Sequence, residues 1–289
     1  MNQTSSIDKV IDLCKKYNIE PTHKNVIGDA TGIGDILFHM LCVKNNLVTE
    51  PFTINLSNFA KPYYNTDPIM QLEFRLKLLM DLLKFNNINI NMLNFVFSNV
   101  EYINQKLPYN DINNFKLNID EVIPTTNTNP YIIFHTKCRH NSTEDYTLIK
   151  SKMRFFFGNF KSKYKIYIMG ERTFPINHES MIHGITTIYN ELLELKNNNT
   201  LIDISIEDIY CNLDYNNYKQ DVILIKNARH NICFGIGGQL CTSLILGNST
   251  IFYTKIDLDV NGEYLANNNH FHCKTIESCF EFINNTSST

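Results

Sequence analysis

Apolar positions along the chain fall into short runs that alternate with longer periodic stretches, and this alternation predicts the elements. Residues 7–17 space their apolar side chains as an amphipathic helix does. "KNVIGDATGIGD" reads as a strand running into a glycine turn, and "DILFHMLCVKNN" as the helix that follows. "PFTINLS" has strand character, whereas "DPIMQLEFRLKLLMDLLKFNN" has helical periodicity and opens on an Asp-Pro start signal. "LNFVFSN" is a further strand. The first half therefore alternates strand and helix, the pattern of a parallel sheet with crossover helices.

Periodicity fades over 104–129, through "LPYNDINN" and "PTTNTNP", which marks a linker. It restarts with "YIIFHTKCRH", a strand and a polar loop, and a helix over 144–159. The strand "KYKIYIMG", the loop "ERTFPINHE" and the helix "SMIHGITTIYNELLELKNN" come next, then a short strand near "LIDIS". "NYKQDVILIKNARH" reads as helix and "NICFGIGGQ" as a strand ending in glycines. "LCTSLILG" is a helix, "STIFYTK" a strand and "KTIESCFEFINN" the last helix. The expectation is an α/β protein of two doubly wound domains, 1–127 and 128–289. Ligands are then expected at strand C-terminal ends facing a cleft between the domains.

Composition narrows the partners. With 43% apolar and 12% aromatic residues in 289, the chain can bury a substantial core. A net charge of −3 carries no electrostatic footprint for nucleic acid or anionic lipid, so neither is expected as a partner. No segment approaches the roughly 18 uninterrupted apolar residues of a membrane helix, so no transmembrane segment is expected. The opening "MNQTSSIDKVIDLCKKYN" lacks the pattern of a secretory signal. The eight cysteines are scattered without a CxxC pair, which reads as reduced thiols and a cytoplasmic location. The wealth of asparagine, isoleucine and lysine has the character of an AT-rich genome and says nothing about function.

Four glycine or polar turns follow predicted strands, at 32–35, 135–140, 170–172 and 235–239. A helix N-terminus at such a turn offers free N–H groups and the positive end of its dipole to an anion. In "FGIGGQLCTS", glycines at 235, 237 and 238 allow close backbone approach, with Thr242 and Ser243 just inside the helix. An ordinary strand-to-helix turn would look the same. Asp35, at the mouth of the first glycine turn, suits either a helix cap or a general base toward a hydroxyl, and local spacing does not separate the two. Lys137 and Arg139, with the Thr136 hydroxyl, suit a diphosphate or simply a solvated basic loop. Glu171 and Arg172 close a strand, where an acid can accept from ribose hydroxyls or form a surface ion pair.

Metal chemistry finds little footing. "HESMIH" spaces His178 and His183 five residues apart, roughly 140° around a helix, so one metal could not take both from one face. "HFHC", with His270, His272 and Cys273, lacks a distant ligand pair and reads as a polar loop before the last helix. No P-loop follows the first glycine turn, and the dinucleotide fingerprint fails at Leu37.

Taken together, "GIGDILFHML" and "KNARHNICFGIGGQLCTSLILGNSTIFY" resemble the heptosyltransferase-like glycosyltransferases. In the first, small residues precede Gly34 and Asp35 and an apolar helix follows. The second runs helix, strand, glycine turn, small-residue helix and strand, with Gly237 and Gly238 matching the family's glycines. The resemblance implies a GT-B fold, two facing Rossmann-like domains with an interdomain cleft, the first acceptor-side and the second nucleotide-sugar-binding. It implies Asp35 as the base, and Gly34, Thr136, Lys137, Arg139, Glu171, Arg172, Gly237, Gly238, Gln239 and Thr242 as donor-binding residues. For the ribose-binding acid, spacing does not separate Glu171 from Glu179, and Glu171 is favoured because it lies at the strand tip. The family's aspartate at the start of the second turn and its histidine just after are missing. Phe234, Gly235 and Ile236, then Gln239, Leu240 and Cys241, stand there instead.

The implied activity is inverting, metal-independent transfer of a sugar from a nucleotide-diphosphate sugar to a hydroxyl of a glycan or other acceptor, with no cofactor. Two other classes stay open. One is a Rossmann-type nucleotide-sugar epimerase or reductase, disfavoured by the broken fingerprint. The other is a non-catalytic GT-B scaffold that binds a glycan or protein, favoured by the missing aspartate and histidine.

Overall fold

A computed structural model describes residues 3–21, 32–48, 51–56, 67–96, 112, 114–120, 129–139, 143–173, 185–195, 201–203, 214–235, 238–253 and 269–286. The chain divides into two compact units. Met1–Ile123 with Tyr210–Gln220 forms one, and Pro124–Ile209 with Asp221–Thr289 the other. The expected boundary stood at 127/128. The return of 210–220 to the first unit was not foreseen.

In the first unit the helices α1 (Gln3–Lys16), α2 (Ile33–Lys44) and α3 (Pro68–Phe85) accompany a parallel pair, β1 (Phe52–Asn55) and β2 (Leu93–Val96). The α3 start follows its start signal: Asp67 Oδ1 accepts from the Ile69 N–H at 2.8 Å, and Pro68 occupies a position whose N–H would have no helical partner. Ile36 to Val43 on α2 are all buried, including His39, so this helix is covered on every side rather than amphipathic. The strand expected ahead of α2, over 24–31, lies outside the described residues.

Paired asparagines end both α2 and α3. Asn45 and Asn86 each donate Nδ2 to the carbonyl four residues back, Leu41 at 2.9 Å and Leu82 at 2.8 Å. The same amides donate to the extended segment 114–118, at Asn114 O (3.0 Å) and Asn118 O (2.8 Å), and Lys44 Nζ donates to Lys116 O at 2.7 Å. Asn46 and Asn87 then turn the chain through the left-handed region, φ 56° and 55°, where asparagine is tolerated better than most residues.

The second unit is a seven-stranded sheet with helices on both faces. Its strands are β3 (Tyr131–Arg139), β4 (Lys165–Met169), β5 (Ile185–Thr187), β6 (Leu201–Asp203), β7 (His230–Phe234), β8 (Thr250–Tyr253) and β9 (His270–Cys273). Six run parallel in the order β6-β4-β3-β7-β8-β9, and β5 pairs antiparallel with the end of β3. Among the described residues its helices are α4 (Thr143–Phe157), α5 (Tyr189–Leu193), α6 (Tyr215–Asn227), α7 (Gly238–Leu246) and α8 (Ile276–Thr286). Of α6, residues to Gln220 belong to the first unit and those from Asp221 to the second.

Strand alternation sorts the core. Ile132 and Phe134 of β3 join Met153 and Phe157 of α4 and Phe280 of α8, whereas Tyr131 and Ile133 meet Ile225 and Ala228 at the end of α6. Counted in chain order, the strands read 3-2-1-4-5-6, the Rossmann-like order, so the connection reverses direction between β3 and β7. The second unit is thus a Rossmann-like α/β fold.

Three expectations need correction. In the described part of the helix expected over 180–198, residues 185–187 form a strand and Tyr189–Leu193 a five-residue helix, because Lys137, Cys138 and Arg139 offer β5 an unpaired strand edge. The polar loop expected at "HFHC" is the edge strand β9, paired with β8 from Thr250↔His270 to Tyr253↔Cys273. Finally, Thr136, Lys137 and Arg139 stand on β3 itself and not in a loop beyond it.

Candidate functional site

Ligands of open α/β sheets bind beyond the C-terminal strand ends where the connection reverses. Here that place is the end of β3 and β7, with β4 alongside. The end of β3 is irregular. Between Phe134, opposite Ile232, and Cys138, opposite Phe234, three residues of β3 face one of β7. Such a bulge bends the strand and re-aims its side chains. The bulge consists of His135, Thr136 and Lys137, all buried.

Gln239, in the first turn of α7, ties this bulge to β4. Its Oε1 accepts from the Lys137 N–H at 3.0 Å and its Nε2 donates to Glu171 Oε2 at 2.7 Å. Glu171 stands two residues past the end of β4, after Gly170, and is 3% exposed. Its carbonyl accepts from Thr187 Oγ1 at 2.6 Å, which fixes the backbone on which the carboxyl stands. Among the described residues, Glu171 Oε1 and Thr136 Oγ1 are buried without a hydrogen-bond partner. Burial raises the Glu171 carboxyl above its ordinary range, while the Lys137 charge and the Gln239 amide oppose the rise.

Glycines make room for this contact. Gly170 has φ +119°, and a Cβ there would overlap both Gln239 Nε2 and Thr136 Oγ1. Gly235, at φ +136°, turns the chain out of β7 toward α7. Gly238 begins α7, while Gly237 lies outside the described residues. Thr242, the fifth residue of α7, is buried. The backbone of Arg139 pairs with Ile185, and the Arg172 guanidinium lies 5.7 Å from the Tyr189 ring centroid.

Beneath α7 runs a buried polar chain that sequence reasoning missed. Asn231 Nδ2 donates to Ile225 O at 2.8 Å, which leaves its Oδ1 to accept from His135 Nε2 at 3.2 Å. Ser243 Oγ donates to Gln239 O at 2.9 Å and lies 3.0 Å from the same His135 nitrogen. Burial holds the His135 pKa down to about 4, so the ring is neutral at physiological pH. These contacts anchor the start of α7 on the sheet. A signal was present: His135 and Asn231 flank the apolar runs of their strands, and a polar residue buried there requires a partner.

Asp35 and Gly34 belong to the first unit, in the first turn of α2. The Asp35 carboxylate is exposed and accepts from the Gly32 N–H at 2.9 Å, the reach-back of an acid in the third helical position toward the residue before the helix. The His39 ring, one turn on, donates to Asp35 O at 2.6 Å. "HESMIH" lies outside the described residues. Among the described residues no three His, Cys, Asp or Glu side chains gather as metal ligands, and no helix is long and apolar enough to cross a membrane. No family model, curated protein or solved structure matches the chain, so its chemistry is read from these residues themselves.

Proposed function

We propose that the chain is an inverting glycosyltransferase similar to the heptosyltransferase-like enzymes, with the donor nucleotide held by the second unit. The supporting observation is the convergence on Gln239. One side chain links the bulge of β3, the acid after β4 and the first turn of α7, at the sheet position where nucleotides bind in such folds. The α7 N-terminus and Lys137 would carry the diphosphate, whose charge grows as the glycosidic bond breaks. Glu171 would accept from the ribose, with Thr136 as a neighbouring hydroxyl.

Asp35 would take the proton from the acceptor hydroxyl as it attacks the anomeric carbon. A GT-B pairing of the two units across a cleft is part of the proposal, as is a cytoplasmic location. The seven described cysteines, all free and buried, agree with a reducing compartment.

One observation favours a second reading, a non-catalytic scaffold that binds a glycan or a protein partner. The carboxylate assigned as base is already engaged in capping α2.

A thermal-shift panel of nucleoside diphosphates and nucleotide sugars tests the proposal, because a ligand of the folded state raises the melting temperature. Lys137→Ala should weaken nucleoside diphosphate binding by about 1.5–3 kcal/mol and leave the free nucleoside nearly unaffected. Binding without sugar transfer or donor hydrolysis would select the scaffold. No shift with any nucleotide would overturn the transferase reading.

A further inference from the structure

Glu171 and Thr136 present a specific problem in satisfaction. Both side chains are nine-tenths buried or more, and each keeps one oxygen without a partner among the described residues. Buried polar atoms in folded proteins are almost always paired, so these two call for a ligand hydroxyl or a water. A carboxylate oxygen only accepts, whereas a threonine hydroxyl both donates and accepts. A sugar hydroxyl, itself donor and acceptor, fits that combination. A phosphate does not, because it would face the Glu171 carboxylate.

What keeps Glu171 Oε1 free is the engagement of Oε2. Gln239 is bound at both ends, to Glu171 and to the β3 backbone, and it packs with Thr136 Oγ1 against Gly170, where a side chain could not fit. A glutamine fixed at both ends has little rotamer freedom left, so it holds its partner in one orientation. Its backbone sits in the first turn of α7, and its carbonyl is held by Ser243 Oγ. Any ligand on the α7 N-terminus is therefore two residue contacts from the acid.

Resting on the nucleotide reading above, we infer that Gln239 is a positioning residue for sugar recognition. By holding Oε2 of Glu171 it leaves Oε1 to accept from the ribose 2′-hydroxyl, and so sets a preference for ribonucleotides over 2′-deoxyribonucleotides.

The test is calorimetric binding of ADP, GDP, UDP and CDP, each beside its 2′-deoxy counterpart, to the full chain. For the base that binds, the wild type should prefer the ribonucleotide about tenfold or more, the effect of one hydrogen bond to a charged group. Gln239→Leu should reduce that preference to within about twofold, and adding it to Glu171→Leu should cause no further loss of preference. Gln239→Glu guards against a mere folding defect. It keeps the length and the acceptor for the Lys137 N–H but sets a second carboxyl against Glu171, which already feels the Lys137 charge. One shared proton then replaces the amide, so the preference should persist at about pH 5 and vanish at about pH 8. An undiminished preference in Gln239→Leu, or a pH-independent one in Gln239→Glu, would overturn the positioning role and leave the nucleotide reading intact. Absence of nucleoside diphosphate binding by the wild type would overturn both.

Discussion

Asn86 and Asn118 exchange two hydrogen bonds. The Asn86 amide donates to the Asn118 carbonyl at 2.8 Å and accepts from the Asn118 N–H at 3.0 Å, as a strand neighbour would. One side chain thus stands in for a strip of sheet, and it also caps α3 through Leu82 O. Asn86→Ala removes these three bonds and a fourth, which Oδ1 accepts from Lys44 Nζ at 3.2 Å, and should cost about 1–3 kcal/mol, since each is partly solvated. Chemical unfolding should read that loss, and faster amide exchange at Asn118 should accompany it. Asn87→Gly should be nearly neutral because φ is already positive, whereas Asn87→Val should destabilise. Equal effects of Gly and Val at 87 would refute the left-handed turn.

Gly170 is closely packed in the candidate site. Gly170→Ala adds a methyl where Gln239 Nε2 and Thr136 Oγ1 already lie, and it does so at φ +119°. Backbone strain alone is worth about 1–3 kcal/mol, and Gln239 must also give way. Both a lower melting temperature and a loss of nucleotide affinity are expected. A variant as stable as the wild type would contradict this packing.

Two buried histidines make the second unit sensitive to acid. Burial lowers His135 to about pKa 4, and burial with the nearby Arg229 charge does the same for His230, against an ordinary 6.5. The unfolded chain therefore takes up protons first as pH falls. Stability present above pH 6.5 is lost progressively on the way down to about 4. Each ring accounts for a change on the order of 3 kcal/mol across that window. Melting curves between pH 7 and 4 should show it. His135→Gln keeps a donor for Asn231 without a titrating ring and should flatten the slope. An unchanged slope would mean that His135 does not titrate on unfolding.

Asp35 separates capping from catalysis. Asp35→Asn keeps an acceptor for the Gly32 N–H, so stability and donor binding should hardly change. It cannot take a proton, and loss of a general base typically costs about 10²–10⁴-fold in rate. Asp35→Ala should lose both the cap and turnover. Sugar transfer by the Asn variant at the wild-type rate would make Asp35 a cap alone.

Local signals made much of the fold legible. Asp67 and Pro68 announced α3, the apolar runs announced β3, β4, β7 and β8, and glycines marked the turn from β7 into α7. Misreadings occurred where a partner distant in sequence overrode local pattern. Residues 185–187 carry helical neighbours yet pair with Lys137, Cys138 and Arg139, and "HFHC" looks polar yet completes the sheet beside β8. A strand is held by hydrogen bonds to another segment, and its own sequence does not name that segment.

The candidate site divides in the same way. Residue types and their positions after strands drew attention to Thr136, Lys137, Glu171 and Gln239, because helix starts and strand tips expose groups able to meet a ligand. Which of them meet was decided by the tertiary structure alone. The three-residue bulge of β3, the overlap at Gly170 and the bridge from Lys137 through Gln239 to Glu171 join positions up to 102 residues apart. Sequence alone determined where polar groups fall along each element. Side-by-side packing of β4, β3 and β7 brought them within hydrogen-bonding distance, because interstrand order belongs to the closed sheet and to no single segment of it.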